Sequence, residues 1–272
     1  MKYVATLLTV HNRRAQTLSC LRSLLSQEIS GEVQVDVFLV DDGCTEGTAA
    51  AVKELFPNVN IISGDGSLFW NRGMYLAWNV ASGERDYDYY LWLNDDVKLL
   101  KLALRRLLAQ SAIHDNNAII VGATQNERRD ELTYGGRIGW SIAPCNGIAH
   151  EVDQFNGNIV LVPRYVYEKL GNIDDYYRHS KGDIDYSIRA RKAGVKIYQC
   201  GEVLGICEAH TMIDDWCNPA IPFSKRWRLM HMPNGMPPHE IFHLEKQENV
   251  IMAAIHFCTV YLRCLFPQLW KK

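Results

Sequence analysis

The sequence predicts an α/β fold with a mainly parallel sheet flanked by helices, followed by a C-terminal helical extension. Up to about residue 125, short apolar runs rich in β-branched residues alternate with segments of helical spacing. That alternation is typical of repeated strand–helix–strand units, which build a parallel sheet. The 272 residues are 47% hydrophobic and 22% charged, which is enough apolar material for a folded core.

Each element of the first part follows from its local pattern. Leucines recur in Thr17–Leu25 at the spacing of one helix face, and Gly83 is a typical helix stop after Asn71–Ser82. The predicted strands are Val4–Val10, Val35–Val40, Val59–Ile62, Tyr89–Leu93 and Ala118–Val121. The predicted helices are Thr17–Leu25, Thr48–Leu55, Asn71–Ser82 and Leu99–Leu108.

The second part is less regular. Its predicted elements are a strand within Phe155–Pro163, helices Arg164–Leu170 and Asp183–Ala193, and a strand Lys196–Cys200. From about Trp216, prolines interrupt the pattern, and a single apolar helix is then predicted over Glu245–Leu265. We therefore expect one domain over residues 1–215, with halves 1–125 and 126–215, and an extension over 216–272.

Charge and cysteine content exclude some classes of protein. With 29 Lys and Arg against 31 Asp and Glu, the net charge is −2, so no nucleic-acid partner is expected. The eight cysteines are scattered without a C-x-x-C pair, which favours free thiols in a reducing compartment over a disulfide framework. The first residues lack the features of a signal peptide, and a cytoplasmic location is expected.

Acidic residues follow two predicted strands at the point where each strand ends. Asp41 and Asp42 follow the second strand, and Asn94, Asp95 and Asp96 follow the fourth. In open α/β sheets, ligands bind at the carboxyl ends of the strands. Such carboxylates suit a divalent cation or ribose hydroxyls. The alternative for each cluster is a solvated turn or a helix cap.

A third acidic site begins a predicted helix at Gly182. Asp183 and Asp185 lie in its first turn, where the helix dipole favours the ionised form, and an ionised carboxylate in a cleft can act as a general base. The alternative is capping together with an ion pair between Asp185 and Arg189. His210 follows a short strand, and a lone histidine of this kind is more often structural than a ligand.

In combination and in this order, the motifs resemble family 2 glycosyltransferases, which are inverting enzymes of the GT-A fold with a Rossmann-like sheet. The resemblance extends from about Tyr3 to His210. It implies that residues 1–125 bind a nucleotide sugar and 126–215 an acceptor. The segments that carry it are Leu8–Arg13, Leu39–Thr48, Trp70–Gly73, Leu93–Val97 and Gly182–Asp185 with Arg189.

The resemblance also implies roles for individual residues. Asn94 to Asp96 look like the D-x-D motif, with Asn94 where many members have Asp, and Gly182 replaces the leading acid of the E-D-x-D element. Asp183 looks like the catalytic base of that element, with its neighbour Asp185 as the alternative. The implied donor-binding residues are His11, Asn12, Arg13, Asp41, Asp42, Asn71, Arg72, Asn94 and Asp95. Asp96 and His210 are the implied ligands of Mg²⁺ or Mn²⁺.

The implied activity is transfer of a sugar from a UDP- or dTDP-sugar to a glycan or lipid-linked acceptor, as in rhamnosyltransferase-like enzymes of O-antigen or capsule synthesis. One alternative is a nucleotidyltransferase that makes sugar nucleotides, although the loop His11–Arg14 lacks the glycines typical of that class. Another is a non-catalytic carbohydrate-binding relative. The sequence contains neither a G-x-G-x-x-G nor a G-x-x-x-x-G-K-[ST] motif, which disfavours a nicotinamide-binding Rossmann domain and a P-loop NTPase.

The C-terminal extension has a distinctive composition. Val250–Leu262 is an apolar run of 13 residues, whereas a bilayer-spanning helix takes about 20. From Pro222 onward, seven Lys and Arg stand against three Glu. A basic, apolar helix suits a membrane interface, but packing against the catalytic domain or a homodimer contact explains it equally well.

Overall fold

The computed structural model describes residues 1–29, 31–209 and 214–270. The strands are β1 (Lys2–Val10), β2 (Val33–Asp41), β3 (Asn60–Ser63), β4 (Tyr89–Leu93), β5 (Lys98–Leu99), β6 (Ile119–Gln125), β7 (Leu132–Tyr134), β8 (Gly136–Ile138), β9 (Ser141–Ile142), β10 (His150–Glu151), β11 (Gln154–Phe155), β12 (Ile159–Pro163) and β13 (Ile197–Ile206). The helices are α1 (Arg14–Leu25), α2 (Thr48–Leu55), α3 (Phe69–Glu84), α4 (Ala103–Ile113), α5 (Arg164–Leu170), α6 (Gly182–Lys192), α7 (Phe223–Met230), α8 (Pro238–Glu245) and α9 (Val250–Leu265).

A central sheet confirms the predicted fold class. Its strand order is β10-β13-β6-β12-β4-β1-β2-β3, with β5 paired to β13 and β7 to β6. Strands β1 to β4 are mutually parallel, and β13 is parallel to β6. Strand β12 runs antiparallel between β4 and β6, so the first residues of β12 lie at the edge where β4 ends. A separate sheet contains β11, β8 and β9.

Helices cover both faces of the central sheet. On one face, α1 and α4 pack through side chains such as Leu21 and Leu104. On the other, Trp78 of α3 and Tyr186 of α6 contact Trp92 of β4 with tilted or edge-on rings. Because both faces are covered, the central strands are continuously apolar rather than alternating.

The single helix predicted over Glu245–Leu265 is wrong. Helix α8 ends at Glu245 and α9 begins at Val250. The break follows from Asn249, whose side-chain oxygen accepts hydrogen bonds from the backbone N–H groups of Ile251 and Met252, both at 3.0 Å. A side-chain cap of this kind starts a new helix.

The strand predicted within Phe155–Pro163, after Asn156 and Gly157, is confirmed as β12. Phe155 ends β11 in the small sheet and Ile159 begins β12 in the central sheet. Between them, Gly157 and Asn158 form a turn. The short strands β7 to β10 were not predicted, because runs of two or three residues carry too little periodicity to detect.

The C-terminal extension packs against the preceding domain through α8. Leu244 lies in an apolar cluster with Tyr177 and Ile188. The buried carboxylate of Glu240 pairs with Arg178 at 2.8 Å. Among the described residues, no helix is both long enough and apolar enough to cross a bilayer. The boundary between residues 215 and 216 stays a prediction.

Candidate functional site

The carboxyl edge of the sheet gathers most of the predicted residues. Val10 of β1 pairs with Asp41 of β2, and the Asn94 triplet directly follows β4. Ile159 of β12 pairs with Leu93 of β4. The antiparallel direction of β12 therefore brings the 156–158 turn to the same edge.

The acidic pair after β4 is held by one arginine. Arg13 Nη1 lies 2.8 Å from Asp96 Oδ2 and 3.4 Å from Asp95 Oδ1. Burial raises the pKa of Asp95 to about 7, and the neighbouring Asp96 adds to the rise while Arg13 opposes it. Two carboxylates with one cationic partner leave excess negative charge at this edge, where a cation is electrostatically favoured.

Asp96 has a second neighbour that the sequence did not indicate. The thiol of Cys207, at the end of β13, donates to Asp96 Oδ1 at 3.6 Å. The side chain of Asp96 is partly exposed, whereas Cys207 is buried. A lone cysteine far from any motif gave no signal that could have identified this contact.

The segment after β1 is tied to the segment after β2. Asn12 has a left-handed backbone with φ of 52°, and its Oδ1 accepts a hydrogen bond from Thr45 N at 2.9 Å. His11 Nδ1 lies 2.6 Å from the carbonyl oxygen of Asp42. Both predicted donor residues therefore lie at the correct edge, and Asn12 also fixes the shape of the loop.

Asp41 and Asp42 differ in what their carboxylates already bind. The buried carboxylate of Asp42 accepts from the N–H groups of Gly66 at 2.8 Å, Leu68 at 3.3 Å and Phe69 at 2.9 Å, so it fixes the turn that starts α3. Asp41 accepts one backbone hydrogen bond, from Cys44 N at 2.8 Å. Asp41 is therefore the better candidate of the two for a ribose or base contact.

We expect Asp42→Asn to lower the free energy of unfolding by about 1–3 kcal/mol, because an amide nitrogen would then face backbone N–H donors. Chemical denaturation measures the change. Asp41→Asn is the matched control, since the amide oxygen can still accept from Cys44, and its effect should be smaller. Equal losses in the two variants would contradict the structural role of Asp42.

Asn71 and Arg72 both hydrogen-bond to the backbone of the segment before α6. The fully buried Asn71 donates from Nδ2 to the carbonyl oxygens of Asp174 and Tyr177, at 2.7 and 2.8 Å. Arg72 Nε donates to the carbonyl oxygen of Asp175 at 2.9 Å. These contacts join α3 to the segment that leads into α6. Direct donor contact by Asn71 and Arg72 stays a prediction.

The same packing explains the missing acid at position 182. A Cβ atom at Gly182 would collide with Oδ1 of Asn71. No side chain fits there unless Asn71 moves, so glycine at this position is a steric requirement. Gly182 departs from the family pattern for this steric reason, and Asp183 and Asp185 remain the two candidates for the base.

Asp183 and Asp185 lie in very different surroundings. Asp185 is buried and accepts from Arg189 Nε at 2.8 Å, Gln247 Nε2 at 2.6 Å and the Tyr177 hydroxyl at 3.3 Å. Its carboxylate is thus fully engaged, and Gln247 links it to the segment between α8 and α9. The ion pair between Asp185 and Arg189, which the sequence predicted as the alternative to a catalytic role, is present.

Within the described part of the chain, Asp183 accepts hydrogen bonds from backbone N–H groups alone, those of Gly157 at 3.1 Å and Ile184 at 2.9 Å. Burial raises the pKa of its carboxyl above the usual range, and the two N–H donors oppose that rise. A carboxylate that has a raised pKa, and no ion pair among the described residues, suits proton acceptance. The geometry therefore favours Asp183 over Asp185 as the base.

Trp70 joins the two chemical centres and was not singled out in the sequence. Its indole Nε1 donates to Asn94 Oδ1 at 2.7 Å. Its ring also packs on Gly157, where an added Cβ would lie 2.5 Å from Trp70 Cζ2. Gly157 in turn donates to Asp183. One side chain therefore spans from the acidic triplet to the candidate base, and the Asn at position 94 is the acceptor for its N–H.

The residues after β4 fit a divalent ion shared with a ligand. Among residues 1–29, 31–209 and 214–270, no group of three His, Cys, Asp or Glu side chains could hold a metal ion by itself. Mg²⁺ is usually bound through one or two carboxylates together with substrate phosphates, and the adjacent carboxylates of Asp95 and Asp96 supply that set. His210, the other predicted ligand, lies outside the described residues.

A mainly parallel sheet with an acidic pair at the end of β4 and a carboxylate at the start of α6 defines a GT-A type of transferase fold. The model of the glycosyl transferase family 2 matches residues 6–184. This match covers more than half of the chain, and the chain therefore belongs to that family. Family membership favours a glycosyltransferase over the nucleotidyltransferase alternative.

Solved structures show the same fold at low sequence identity. S. aureus TarS 1-349 in complex with UDP-GlcNAc has a TM-score of 0.57 and 13% identity, over 97% of this chain and 72% of that one. GalNAc-T7 with UDP, GalNAc and Mn²⁺ has a TM-score of 0.59 and 11% identity, over 85% and 48%. The chain spans 43% of the longer S. aureus TarS chain. A search of curated proteins found no match.

Proposed function

We propose that this protein transfers a sugar from a nucleoside-diphosphate sugar to an acceptor hydroxyl, with inversion at the anomeric carbon. The observation that carries the proposal is the pairing of an acidic cation site with a base candidate at one edge, linked through Trp70. Asp95 and Asp96 lie on one side of this link and Asp183 on the other. A sugar between them would have its leaving group and its attacking hydroxyl on opposite sides.

The residues suit a single displacement. Asp183 accepts the proton of the acceptor hydroxyl while that oxygen bonds to the anomeric carbon. The bond from that carbon to the diphosphate breaks in the same step. Arg13 lies beside the acidic pair, where it can bind the phosphate oxygens. Mg²⁺ or Mn²⁺ held by Asp96, with Asp95 beside it, would neutralise the charge of the departing diphosphate.

The donor and acceptor classes extend the same proposal. Two similar structures were solved with UDP or UDP-sugars, which supports a UDP-sugar as the first donor to test, with a dTDP-sugar next. A glycan or lipid-linked acceptor in cell-surface polysaccharide synthesis, in the cytoplasm, suits the family. Residues 1–125 would bind the donor, residues 126–215 the acceptor, and 216–272 form the extension.

We expect UDP with Mn²⁺ to raise the melting temperature more than either UDP or Mn²⁺ alone, because ligands of the native state stabilise it. Thermal shifts with UDP, dTDP and GDP, each with and without Mn²⁺, measure this. GDP serves as the base-specificity control. Melting-temperature shifts that are equal for all three nucleotides, or that do not change when EDTA is added, would contradict a metal-dependent nucleotide-sugar site.

A further inference from the structure

An uncharged apolar stripe runs along the solvent side of α9. Val250, Met252 and Phe266 are exposed at its ends and margins. The centre of the stripe, which we name the α9 stripe, consists of Ile251, Ile255, Cys258, Leu262 and Leu265.

The spacing of the α9 stripe is that of a helix–helix seam. Successive members are 4, 3, 4 and 3 residues apart, which is the heptad spacing of side chains that pack into a second helix. The exposed fractions are high for such residues, at 70% for Ile251 and 48% for Ile255. None of the described residues covers this apolar face.

The other face of α9 is already occupied by the same chain. Ala253 and Cys264 are buried, and Phe257 packs edge-on against Phe242 of α8. The polar groups beside the stripe are satisfied internally. His256 lies 2.6 Å from Glu245, and Arg263 lies over the ring of Trp216.

These contacts weigh against a lipid surface as the occupant. A helix that lies in a membrane interface presents Lys and Arg on a solvated polar face. Here Arg226, one of the cations that made the extension basic, is buried and donates to the carbonyl oxygen of Cys264 at 3.0 Å. Arg263, the one cation of α9, is engaged with Trp216.

We propose that the α9 stripe packs against the α9 stripe of a second copy of this chain. An uncharged apolar face can meet its own copy without like-charge repulsion, as a two-fold interface requires. Seven large apolar side chains are exposed between residues 250 and 266. They supply surface of the order of the 800 Å² per partner that a standard interface buries.

A cysteine, Cys258, lies at the centre of the α9 stripe, where cross-linking can detect a contact between two copies. Cys258 lies seven residues from both Ile251 and Leu265. A two-fold axis through the middle of the stripe therefore brings the two Cys258 thiols near each other, whether the helices run parallel or antiparallel. Cys258 is exposed, whereas the other cysteines are buried or half-buried.

Light scattering after gel filtration of the full chain tests the proposal. The wild type should have twice the 31.1 kDa mass of one chain. Leu262→Glu should raise the dissociation constant on the order of 100-fold or more, because two carboxylates enter an apolar seam. Ile113→Glu, at an exposed apolar residue that ends α4, should remain dimeric. Circular dichroism shows that each variant is folded.

A short bismaleimide should cross-link the wild type into a covalent dimer and leave Cys258→Ser uncross-linked. A wild type that is monomeric at tens of micromolar, or a Leu262→Glu variant that stays dimeric, overturns the proposal. Sedimentation of a monomeric wild type with anionic vesicles, lost in Leu262→Glu, would assign the stripe to a membrane surface instead. None of these outcomes depends on transferase activity, so the proposal stands apart from the proposed function.

Discussion

Asp183→Asn is expected to lower kcat for sugar transfer by about 10²- to 10⁴-fold, the usual contribution of a general base. The amide has nearly the shape of the carboxylate but cannot accept the proton of the acceptor hydroxyl. Donor binding should be nearly unchanged, because the Asp183 carboxylate accepts from the backbone N–H groups of Gly157 and Ile184 and lies apart from the acidic pair that is proposed to hold the cation. Nucleotide release with an acceptor present, and calorimetry of UDP with Mn²⁺, measure the two quantities separately.

The pH profile gives a second readout of the same group. Burial raises the pKa of Asp183, and only the ionised form can act as base. The rate of the wild type should therefore fall as the pH drops through that raised pKa, and the residual rate of Asp183→Asn should lack this dependence. A reference variant at Asp185 should lose stability instead, since it breaks contacts with Arg189 and Gln247. Near-normal turnover of Asp183→Asn would move the base to Asp185.

The sequence predicted those parts of the fold and site that depend on local pattern. Strand ends at Asp41 and Leu93 are visible as apolar runs that stop at acidic residues, and parallel strands bring their carboxyl ends to one edge. The order of the elements then places Asp96 near Arg13. The family resemblance added Asp183, which spacing alone would have interpreted as a helix cap.

The missed features depend on contacts between distant parts of the chain. Nothing near Asp42 indicates that its oxygens bind backbone N–H groups more than twenty residues later. Asn71 likewise finds its acceptors across more than a hundred residues. Both were predicted to bind a ligand, because the same polar residue types serve in binding sites and in buried hydrogen bonds, and the sequence does not distinguish the two. Trp70 was named only within the segment Trp70–Gly73, and its sequence context gave it no individual role.

Asp96→Ala is expected to weaken Mn²⁺-dependent binding of a nucleoside diphosphate by at least 100-fold, the order expected when the main carboxylate ligand of a catalytic cation is removed. Asp95 cannot replace it fully. Its carboxylate is buried, its pKa is raised to about 7, and Thr17 lies 3.4 Å from one of its oxygens. Arg13 loses its partner at 2.8 Å, so weak metal-independent binding of the phosphates should persist or increase.

Calorimetric titration of UDP with and without Mn²⁺ separates these two contributions. Asp130→Ala, which removes an exposed carboxylate hydrogen-bonded only to Asn126 within the described residues, is the matched control and should bind UDP as the wild type does. EDTA should reduce the wild type to an affinity no higher than that of Asp96→Ala, because Asp96 still pairs with Arg13 there, and should leave the variant unchanged. If Asp96→Ala keeps the full Mn²⁺-dependent gain in affinity, the cation is held elsewhere on this edge. Asp95 would then be the first residue to substitute, because it is the other carboxylate that Arg13 contacts.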